Sequence, residues 1–451
     1  MSTASPIVAS IDIGTTKICV TIARRNEEDQ IEVLGIGKAE SLGVMRGVVS
    51  NIDKTVDAIQ KAVDEATKQA GVPIKNVYVG IAGQHVKAHQ HKGYLMRGHS
   101  ENEISQVDIQ RLVADMHKLA LDPGESIIHV LPQEFSVDNE DGIKDPIGMS
   151  GVRLEADFHI ITGQAAAIRN IKRCVEKAGL SVVEMVLEPL ASAVAVLGEE
   201  ELEAGVALVD IGGGTTDIAI FHNGILRHTA VIPLGGDVIT EDIREGCMVM
   251  REQAEKLKVK FGCAIAEEAR ANAIVSIPGL RGRDPKEISL RNLAYIIQAR
   301  MEEILEYVHE EIAYSGYEGK LIGGIVITGG GARLKYLPYL TEFISGADAR
   351  IGYPNEHLSD TSNALLKDPM FATGVGLAIK ALDSDPVPTM QKIKEVEEQQ
   401  QARIQDVLQE DEEDEVPLHS EAVTTQTPGS WLDALIRKSK EWFEGDVKDF
   451  R

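Results

Sequence analysis

The sequence contains few aromatic residues, which make up 4% of its 451 residues. A hydrophobic core must therefore consist mainly of Val, Ile, Leu and Ala, and the length suggests two or more domains. No apolar run approaches the roughly 20 residues of a membrane-spanning helix, so we expect any membrane contact to be peripheral. The first residues have neither a basic flank nor a long apolar core, so we expect no signal peptide.

Cysteine and positive charge are also scarce. The four cysteines have no paired spacing, which favours reduced thiols in a cytosolic protein over a disulfide framework or a zinc ribbon. The net charge is −25, which argues against general binding to nucleic acid. Much of this charge lies in residues 383–428, where 13 acidic residues accompany three basic ones. Because such a composition buries too little apolar surface to fold alone, we predict a disordered linker there.

Two short stretches of the chain nearly repeat each other. The first reads DIGTTKI from Asp12 to Ile18, and the second reads DIGGGTTDI from Asp210 to Ile218. Apolar β-like runs lie on both sides of each stretch, so each predicts a strand, an acidic residue, a tight turn and a second strand. One copy alone would be as compatible with an ordinary β-turn. Two copies indicate two related halves that face each other.

The composition of these turns favours binding of an anion. Glycine allows close backbone approach and positive φ, successive turn N–H groups can form an anion-binding nest, and Thr hydroxyls add donors. An Asp at each strand end, Asp12 and Asp210, offers a hard oxygen to Mg²⁺, directly or through water. Neither turn matches a Walker P-loop or a Rossmann fingerprint. The candidate phosphate-binding residues are Gly14, Thr15, Thr16, Lys17, Gly212, Gly213, Gly214, Thr215 and Thr216.

Further elements surround these hairpins. Periodicity and capping residues predict helices over residues 51–70, 105–119, 165–178, 188–197, 241–261, 290–314 and 371–381. Strands are predicted over residues 31–37, 77–82, 181–187 and 325–328. Between Gly83 and Gly163 the character changes to short strand-like runs, turns and one helix, which indicates an inserted α/β subdomain.

The layout resembles the actin-like ATPase superfamily, which includes actin, heat-shock chaperones, sugar kinases and bacterial filament proteins. The resemblance implies a duplicated, ribonuclease-H-like α/β fold with two halves around a cleft that holds ATP and Mg²⁺. Asp12 and Asp210 would engage the metal mainly through water. The run GGGAR matches the adenosine motif, and its residues are Gly329, Gly330, Gly331, Ala332 and Arg333.

Two further positions take their roles from this resemblance. Glu255 and Lys258 resemble helix residues that reach the ribose and adenine, although a solvated helix face with i,i+3 pairing is the alternative. Glu188 occupies the connecting position that orients the attacking water in relatives. Its alternative is an acidic residue at a helix N-terminus, where it favours the dipole.

The end of the chain predicts an amphipathic helix over residues 431–443, capped by Ser430. At about 100° per residue, its apolar side chains fall within an arc of roughly 140°. This segment holds both tryptophans of the sequence, which favours a helix in a membrane interface. Docking on a partner protein or folding back on the body is the alternative. The candidate membrane-binding residues are Trp431, Leu432, Leu435, Ile436, Trp442 and Phe443.

Within the superfamily, the insertion and the tethered terminal helix resemble the FtsA family. The resemblance implies an ATP-binding, self-assembling division protein, with weak ATPase activity at most. It would anchor the tubulin-like FtsZ to the inner face of the cytoplasmic membrane and help to recruit other division proteins. It further implies core subdomains at residues 1–83 with 165–198 and at 199–245 with 320–382. The inserted subdomain would span 84–164, an FtsZ-binding block 246–319, the linker 383–428 and the membrane helix 429–444.

Three alternatives use the same hairpins. A small-molecule kinase of the sugar-kinase type would need a carboxylate base in the cleft. A chaperone would need a substrate-binding β-domain after the ATPase, and a filament protein of the MreB type would lack the insertion and usually the tether.

Four histidines lie between residues 85 and 99. They suggest a metal site only weakly, because no carboxylate or thiol completes a recognisable spacing.

Overall fold

The computed structural model describes residues 6–97, 103–279, 284–355, 357–359 and 364–384. The predicted membrane helix and almost all of the predicted acidic linker lie outside these residues. No helix in the described part of the chain is both long enough and apolar enough to cross a membrane.

The first half begins with three antiparallel strands and a helix. Its predicted first helix is confirmed, because α1 is capped by the Asn51 side chain and ends at Gly71, whose φ is +69°. The elements up to the insertion are β1 (Val8–Ile13), β2 (Lys17–Arg25), β3 (Ile31–Glu40), β4 (Val44–Met45), β5 (Val48–Val49), α1 (Ile52–Ala70) and β6 (Asn76–Ile81).

A separate four-stranded sheet follows β6, with strand order β7-β10-β8-β9 and one helix packed against it. Its three main strands span 11 to 13 residues, so strands are present as predicted but are longer than the short runs indicated. Polar residues alternate along these strands and hide their length from a search for apolar runs. The elements are β7 (Val86–Met96), α2 (Gln106–Met116), β8 (Glu125–Val137), β9 (Glu140–Ile143) and β10 (Arg153–Gln164).

Three elements then complete the first half, namely α3 (Ala165–Lys177), β11 (Ser181–Leu187) and α4 (Glu188–Val196). The first sheet has the order β11-β6-β1-β2-β3. Strands β6 and β11 run parallel to β1, whereas β2 runs antiparallel to both of its neighbours, β1 and β3.

The second half repeats this architecture. Its sheet has the order β14-β13-β12-β17-β18, with two antiparallel and two parallel pairings. The core elements are α5 (Glu199–Ala204), β12 (Val206–Ile211), β13 (Thr216–His222) and β14 (Ile225–Ile232), and later β17 (Ile325–Thr328), α9 (Leu337–Ser345), β18 (Ala349–Ile351) and α10 (Ala372–Asp383). The strands of the two halves therefore correspond one to one, and α10 corresponds to α4.

A helical block lies between β14 and β17. It contains α6 (Gly236–Gly246), α7 (Arg251–Phe261), β15 (Ile274–Ile277), β16 (Lys286–Ser289) and α8 (Leu290–Tyr314). The predicted bounds of α8 are confirmed. The single helix predicted over residues 241–261 was wrong, because the chain turns between α6 and α7 and Met248 adopts a φ of +46°. Short 3-10 helices span Ala266–Glu268, Gly331–Arg333, Ala364–Lys367 and Pro369–Phe371.

Helices α4 and α10 cross in very close contact between the two sheets. A Cβ atom built on Gly376 of α10 would lie 1.8 Å from the carbonyl oxygen of Ala191 in α4. Only glycine permits this approach, because any side chain would overlap the backbone of the other helix. The buried residues around the crossing, including Val196 and Phe371, form one hydrophobic cluster with residues of both sheets.

Candidate functional site

The two predicted hairpins occupy equivalent places in the two sheets. Ile13 pairs with Ile18 in the first, and Ile211 pairs with Thr216 in the second. Each turn therefore contains four residues, 14–17 and 212–215. A hydrogen bond closes each turn, from the N–H of the first residue to the carbonyl oxygen of the fourth, at 3.0 Å and 2.9 Å. The two turns share one backbone design.

This register changes how the two sequences correspond. Counted from the paired strand residues, Thr15 and Thr16 are structurally equivalent to Gly213 and Gly214. A sequence alignment of the two repeats would instead match them with Thr215 and Thr216. Thr216 lies in strand β13 and is fully buried. Its hydroxyl donates to the carbonyl oxygen of Leu234 at 2.9 Å, so this side chain supports the strand.

The two turns face one cavity. Most of the predicted phosphate and metal residues contribute to its wall, whereas Thr216, Glu255, Lys258, Gly331, Ala332 and Arg333 lie outside it. The lining consists of Asp12, Ile13, Gly14, Thr15, Thr16, Lys17, Gly47, Ala82, Glu188, Asp210, Gly212, Gly213, Gly214, Thr215, Asp217, Gly329, Gly330, Met370 and Thr373.

The turns approach each other closely across this cavity. A Cβ atom built on Gly213 would lie 2.4 Å from Cγ2 of Thr16, and one on Gly214 would lie 2.7 Å from Oγ1 of Thr15. Side chains at these two positions would force the turns apart. The glycines of the second turn thus let the two halves meet at the cavity.

Asp12 is buried and forms an ion pair with Lys17, whose Nζ lies 2.5 Å from Oδ2. Burial is the largest single influence and lowers the pKa of Lys17, but Asp12, Cys19 and Glu188 together outweigh it and raise this pKa above its ordinary value. The Lys17 ammonium also lies 5.5 Å from the ring centroid of Phe371, a cation–π distance. The first strand end therefore carries a charge pair.

Asp210 is held by two hydroxyl groups. Ser192 of α4 donates to its Oδ2 at 2.8 Å and Thr373 of α10 does so at 3.3 Å. Burial is the main cause that raises the pKa of Asp210, although the Ser192 hydrogen bond opposes it. The side chain is thus positioned by both helices that cross between the halves.

Asp217 is a third acidic residue in the cavity wall. The Thr215 hydroxyl donates to its Oδ2 at 2.9 Å, while its buried Oδ1 has no partner in the described part of the chain. Burial, followed by repulsion from Asp210, raises the pKa of Asp217 to about 7. A buried carboxylate oxygen without a donor is costly, and a cation or a water would satisfy it.

Glu188 is the first residue of α4 and lines the same cavity. Burial, followed by the nearby Asp12, Asp217 and Asp210 carboxylates, raises the pKa of Glu188 well above its ordinary value. Its position at a helix N-terminus fits the dipole alternative, and its place in the cavity wall fits the water-orienting role.

The predicted adenosine residues form a turn and a short 3-10 helix after β17. Gly329 has a φ of +83°, and a Cβ atom there would lie 2.2 Å from Oδ1 of Asp210. Arg333 pairs with Asp368, with its Nε 3.3 Å from Oδ2. Only Gly329 and Gly330 of this motif line the cavity, so the motif begins at the cavity and leads away from it.

Glu255 and Lys258 pair with each other on α7, with 2.8 Å between Oε2 and Nζ. Lys258 Nζ also donates to the carbonyl oxygen of Gly236 at 2.6 Å and to Oγ1 of Thr240 at 2.7 Å. The i,i+3 pairing of the alternative interpretation is present, but the Lys258 side chain is only 13% exposed. This pair therefore fixes α7 to the start of α6, beside the second turn.

Sequence reasoning did not select Asp217, Ser192, Thr373, Met370 or Gly47 as site residues. Asp217 stands within the second repeat, so its acidic side chain was an available signal. Gly47, Met370 and Thr373 lie far from both hairpins in sequence, whereas Ser192 lies on α4 shortly after Glu188; these four residues carry no local motif.

The candidate membrane-binding residues and the clustered histidines do not contribute to this cavity in the described part of the chain. The six candidate membrane-binding residues lie outside the described part of the chain. Of the clustered histidines, His99 also lies outside it, and both ring nitrogens of the buried His85 have no hydrogen-bond partner among the described residues. The described residues contain no group of three or more His, Cys, Asp or Glu side chains placed to hold a metal ion.

Comparisons with known proteins bear on this architecture. The family described as "Cell division protein FtsA" matches residues 207–376, and "SHS2 domain inserted in FTSA" matches residues 83–162. The chain is 40% identical to "Cell division protein FtsA" of Pseudomonas aeruginosa, over 83% of this chain and 89% of the relative. It is 35% identical to that of Escherichia coli K12, over 82% and 89%.

Solved structures support the fold. The chain is similar to a "PilM-PilN type IV pilus biogenesis complex", with a TM-score of 0.62, 14% identity and coverage of 84% of this chain and 99% of the other. It is also similar to MreB5 of Spiroplasma citri bound to ADP, with a TM-score of 0.50, 15% identity and coverage of 83% and 95%.

The matching sheets and facing hairpins are those of an actin-like ATPase fold, so the predicted fold class is confirmed. The inserted domain and the relatives that are 35–40% identical over most of the chain narrow the class further. The chain belongs to the FtsA family of cell-division proteins. The sugar-kinase, chaperone and MreB-type alternatives are therefore excluded.

Proposed function

We propose that this protein binds ATP with Mg²⁺ between its two hairpins and acts as a nucleotide-switched scaffold in cell division. The observation that carries the proposal is the cavity in which Asp12, Asp210 and Asp217 converge with the two turns. Oδ1 of Asp217 has no partner among the described residues, which suits a hydrated cation. Gly213 and Gly214 provide backbone without side chains, as close approach to phosphate requires.

The acidic residues of the cavity would take two roles. Asp12 and Asp210 would hold the hydrated Mg²⁺, and Mg²⁺ would neutralise phosphate charge. Glu188, which lines the same cavity, is our candidate for orienting a water. We propose weak ATPase activity at most, with the bound nucleotide acting mainly on assembly.

The nucleoside would lie beside the turn that begins at Gly329, where a bare backbone permits close packing. Gly331, Ala332 and Arg333 continue this turn, and Glu255 and Lys258 would reach the ribose and adenine from α7. Because Lys258 already makes three contacts, nucleotide binding would exchange some of them.

The division role rests on family membership together with the sequence of the tail. We propose that the terminal helix of residues 429–444 lies in the inner face of the cytoplasmic membrane, joined by the linker of residues 383–428. The block of residues 246–319 would bind FtsZ, and copies of the chain would self-associate. Several membrane helices on one polymer would bind by avidity, and the assembly would recruit other division proteins.

Calorimetric titration of the purified protein with ATP, with and without Mg²⁺, tests the nucleotide site. We expect Mg²⁺-dependent binding that Asp210→Asn weakens by about tenfold or more, because a charged ligand of the metal shell is lost. Asp141→Asn, an exposed change in β9, should leave the affinity unaltered. A wild-type protein that shows no Mg²⁺-dependent binding of ATP would contradict the proposal.

A further inference from the structure

A small hairpin outside both sheets reaches the seam between the two turns. Strands β4 and β5 pair through Val44 with Val49 and Met45 with Val48, which leaves Arg46 and Gly47 as a two-residue turn. Their φ angles are +49° and +74°. Two positive φ values in a two-residue hairpin define a type I′ turn, which favours Asn, Asp or Gly at its first position.

This turn touches both halves of the cavity. The N–H of Gly47 donates to Oγ1 of Thr15 in the first turn at 3.4 Å. A Cβ atom built on Gly214 of the second turn would lie 2.9 Å from Cα of Arg46, and one on Gly83 would lie 2.7 Å from the Arg46 carbonyl oxygen. Gly47 itself lines the cavity. The backbone of Arg46 is therefore wedged at the junction of both phosphate turns and the end of β6.

The positive charge of the Arg46 side chain is not neutralised by an acidic residue in the described part of the chain. The side chain is exposed, and it forms no ion pair with any residue in the described ranges. An arginine in the left-handed region is conformationally unfavourable, and such residues persist where the surroundings over-determine them, often at binding sites. The cavity lining includes Gly47 but not the Arg46 side chain. Since Cα of Arg46 lies against Gly214, a change of side-chain rotamer would bring the guanidinium to an anion held between the two turns.

We propose that Arg46 is a further ligand of this site, whose guanidinium binds the outermost phosphate of a nucleoside triphosphate. This role of Arg46 rests on the nucleotide site proposed above. Guanidinium binds phosphate through paired, charge-assisted hydrogen bonds. A diphosphate lacks the outermost group, so Arg46 contributes to the preference for ATP over ADP and links that preference to contact between the halves.

The test compares ATP and ADP affinities, with Mg²⁺, for the full chain and two variants. Arg46→Asn removes the charge but suits a type I′ turn, so it should fold as well as wild type. We expect it to bind ATP about tenfold more weakly and ADP within about twofold of wild type. Arg46→Lys keeps the charge but lacks the paired N–H donors of the guanidinium, so its ATP affinity should lie between those of wild type and Arg46→Asn. Arg173→Gln, an exposed change on α3, is the control and should match wild type.

The outcomes separate the two proposals. If wild type binds ATP and Arg46→Asn keeps the ATP-to-ADP preference, the role of Arg46 is wrong while the nucleotide site stands. The same conclusion follows if Arg46→Asn weakens ATP and ADP equally, because the turn then acts only through its backbone. If wild type binds neither nucleotide, the proposed function is wrong and the role of Arg46 falls with it.

Discussion

The Nε2 atom of His159 lies 3.0 Å from Oγ1 of Thr229, and this contact joins the inserted sheet to the core sheet of the second half. Two neighbouring hydrogen bonds reinforce this contact. Nε2 of Gln133 donates to the carbonyl oxygen of Leu226 at 2.5 Å, and Nε2 of Gln90 donates to the carbonyl oxygen of Arg227 at 3.3 Å. The insertion emerges from the first half and docks on β14 of the second. Its position therefore depends on both halves.

The buried His159 makes stability depend on pH. Burial lowers the pKa of His159 from 6.5 to about 4, so the folded protein keeps it neutral while the unfolded chain binds a proton. Its contribution is present above pH 6.5 and is lost as the pH falls towards 4. We expect His159→Gln to reduce the loss of unfolding free energy between pH 6.5 and pH 5 by about 1.5 kcal/mol, measured by urea denaturation.

The exposed His117 provides the comparison for this experiment, since His117→Gln also replaces a histidine by glutamine but lies outside the contact with Thr229. An equal loss of stability in wild type and His159→Gln would contradict the assignment. His129, whose pKa burial also lowers to about 4, accounts for part of the loss that remains.

Asp217 makes the unfolding free energy depend on pH in the opposite direction from His159. The pKa of Asp217 is raised from 3.8 to about 7, so the folded state favours the protonated form, and stability is lost as the pH rises from 3.8 through 7 and then levels off. Without nucleotide or metal, we expect Asp217→Asn to be about 2 kcal/mol more stable than wild type at pH 8, with a smaller difference at pH 5. Chemical denaturation at both pH values measures this.

A more stable wild type at pH 8 would show that the Asp217 carboxylate is satisfied in the folded protein. The exposed Asp141→Asn change controls for the loss of one negative charge.

The crossing of α4 and α10 offers a matched pair of glycines in one helix. Gly376→Ala places a methyl group on the Ala191 carbonyl oxygen, 1.8 Å away, and should cost about 3 kcal/mol. At Gly374 the nearest atom to a new Cβ is Oγ1 of Thr21, at 3.5 Å, so Gly374→Ala should raise stability by about 0.5 kcal/mol through helix propensity. Thermal unfolding distinguishes them, and equal destabilisation by both changes would refute the argument.

The terminal segment is tested with lipid vesicles. Combining Trp431→Glu with Leu435→Glu places two charges on the predicted apolar face, which opposes burial in the membrane interface. We expect wild type to sediment with liposomes of anionic lipid and the variant to remain in the supernatant, with ATP affinity unchanged.

Thr424→Glu with Thr425→Glu adds the same charge within the predicted linker and should sediment like wild type. Co-sedimentation of the Trp431→Glu, Leu435→Glu variant at the wild-type level would exclude the terminal helix as the membrane anchor.

Local chemistry made several elements predictable. Helix α1 has a side-chain cap at Asn51 and a left-handed glycine at its end, and α8 is capped by Ser289. Such signals act within one turn of helix and need no distant partner. The break between α6 and α7 follows Gly246, the last residue of α6, and this glycine was an available local signal for a helix end, so the single helix over residues 241–261 continued past it in error.

The sequence by itself determined the duplicated hairpins, the acidic residues at their strand ends and the kinds of group that can approach glycine turns, because these depend on neighbours in the chain. Tertiary structure decided the register that matches Thr16 with Gly214 and the docking of the insertion on β14. It further decided the burial of Asp217, whose Oδ1 meets no donor in the described ranges. It also placed Arg46 against Gly214. These relations join residues far apart in sequence, and they arise only when the packing of whole sheets and helices selects which backbones meet.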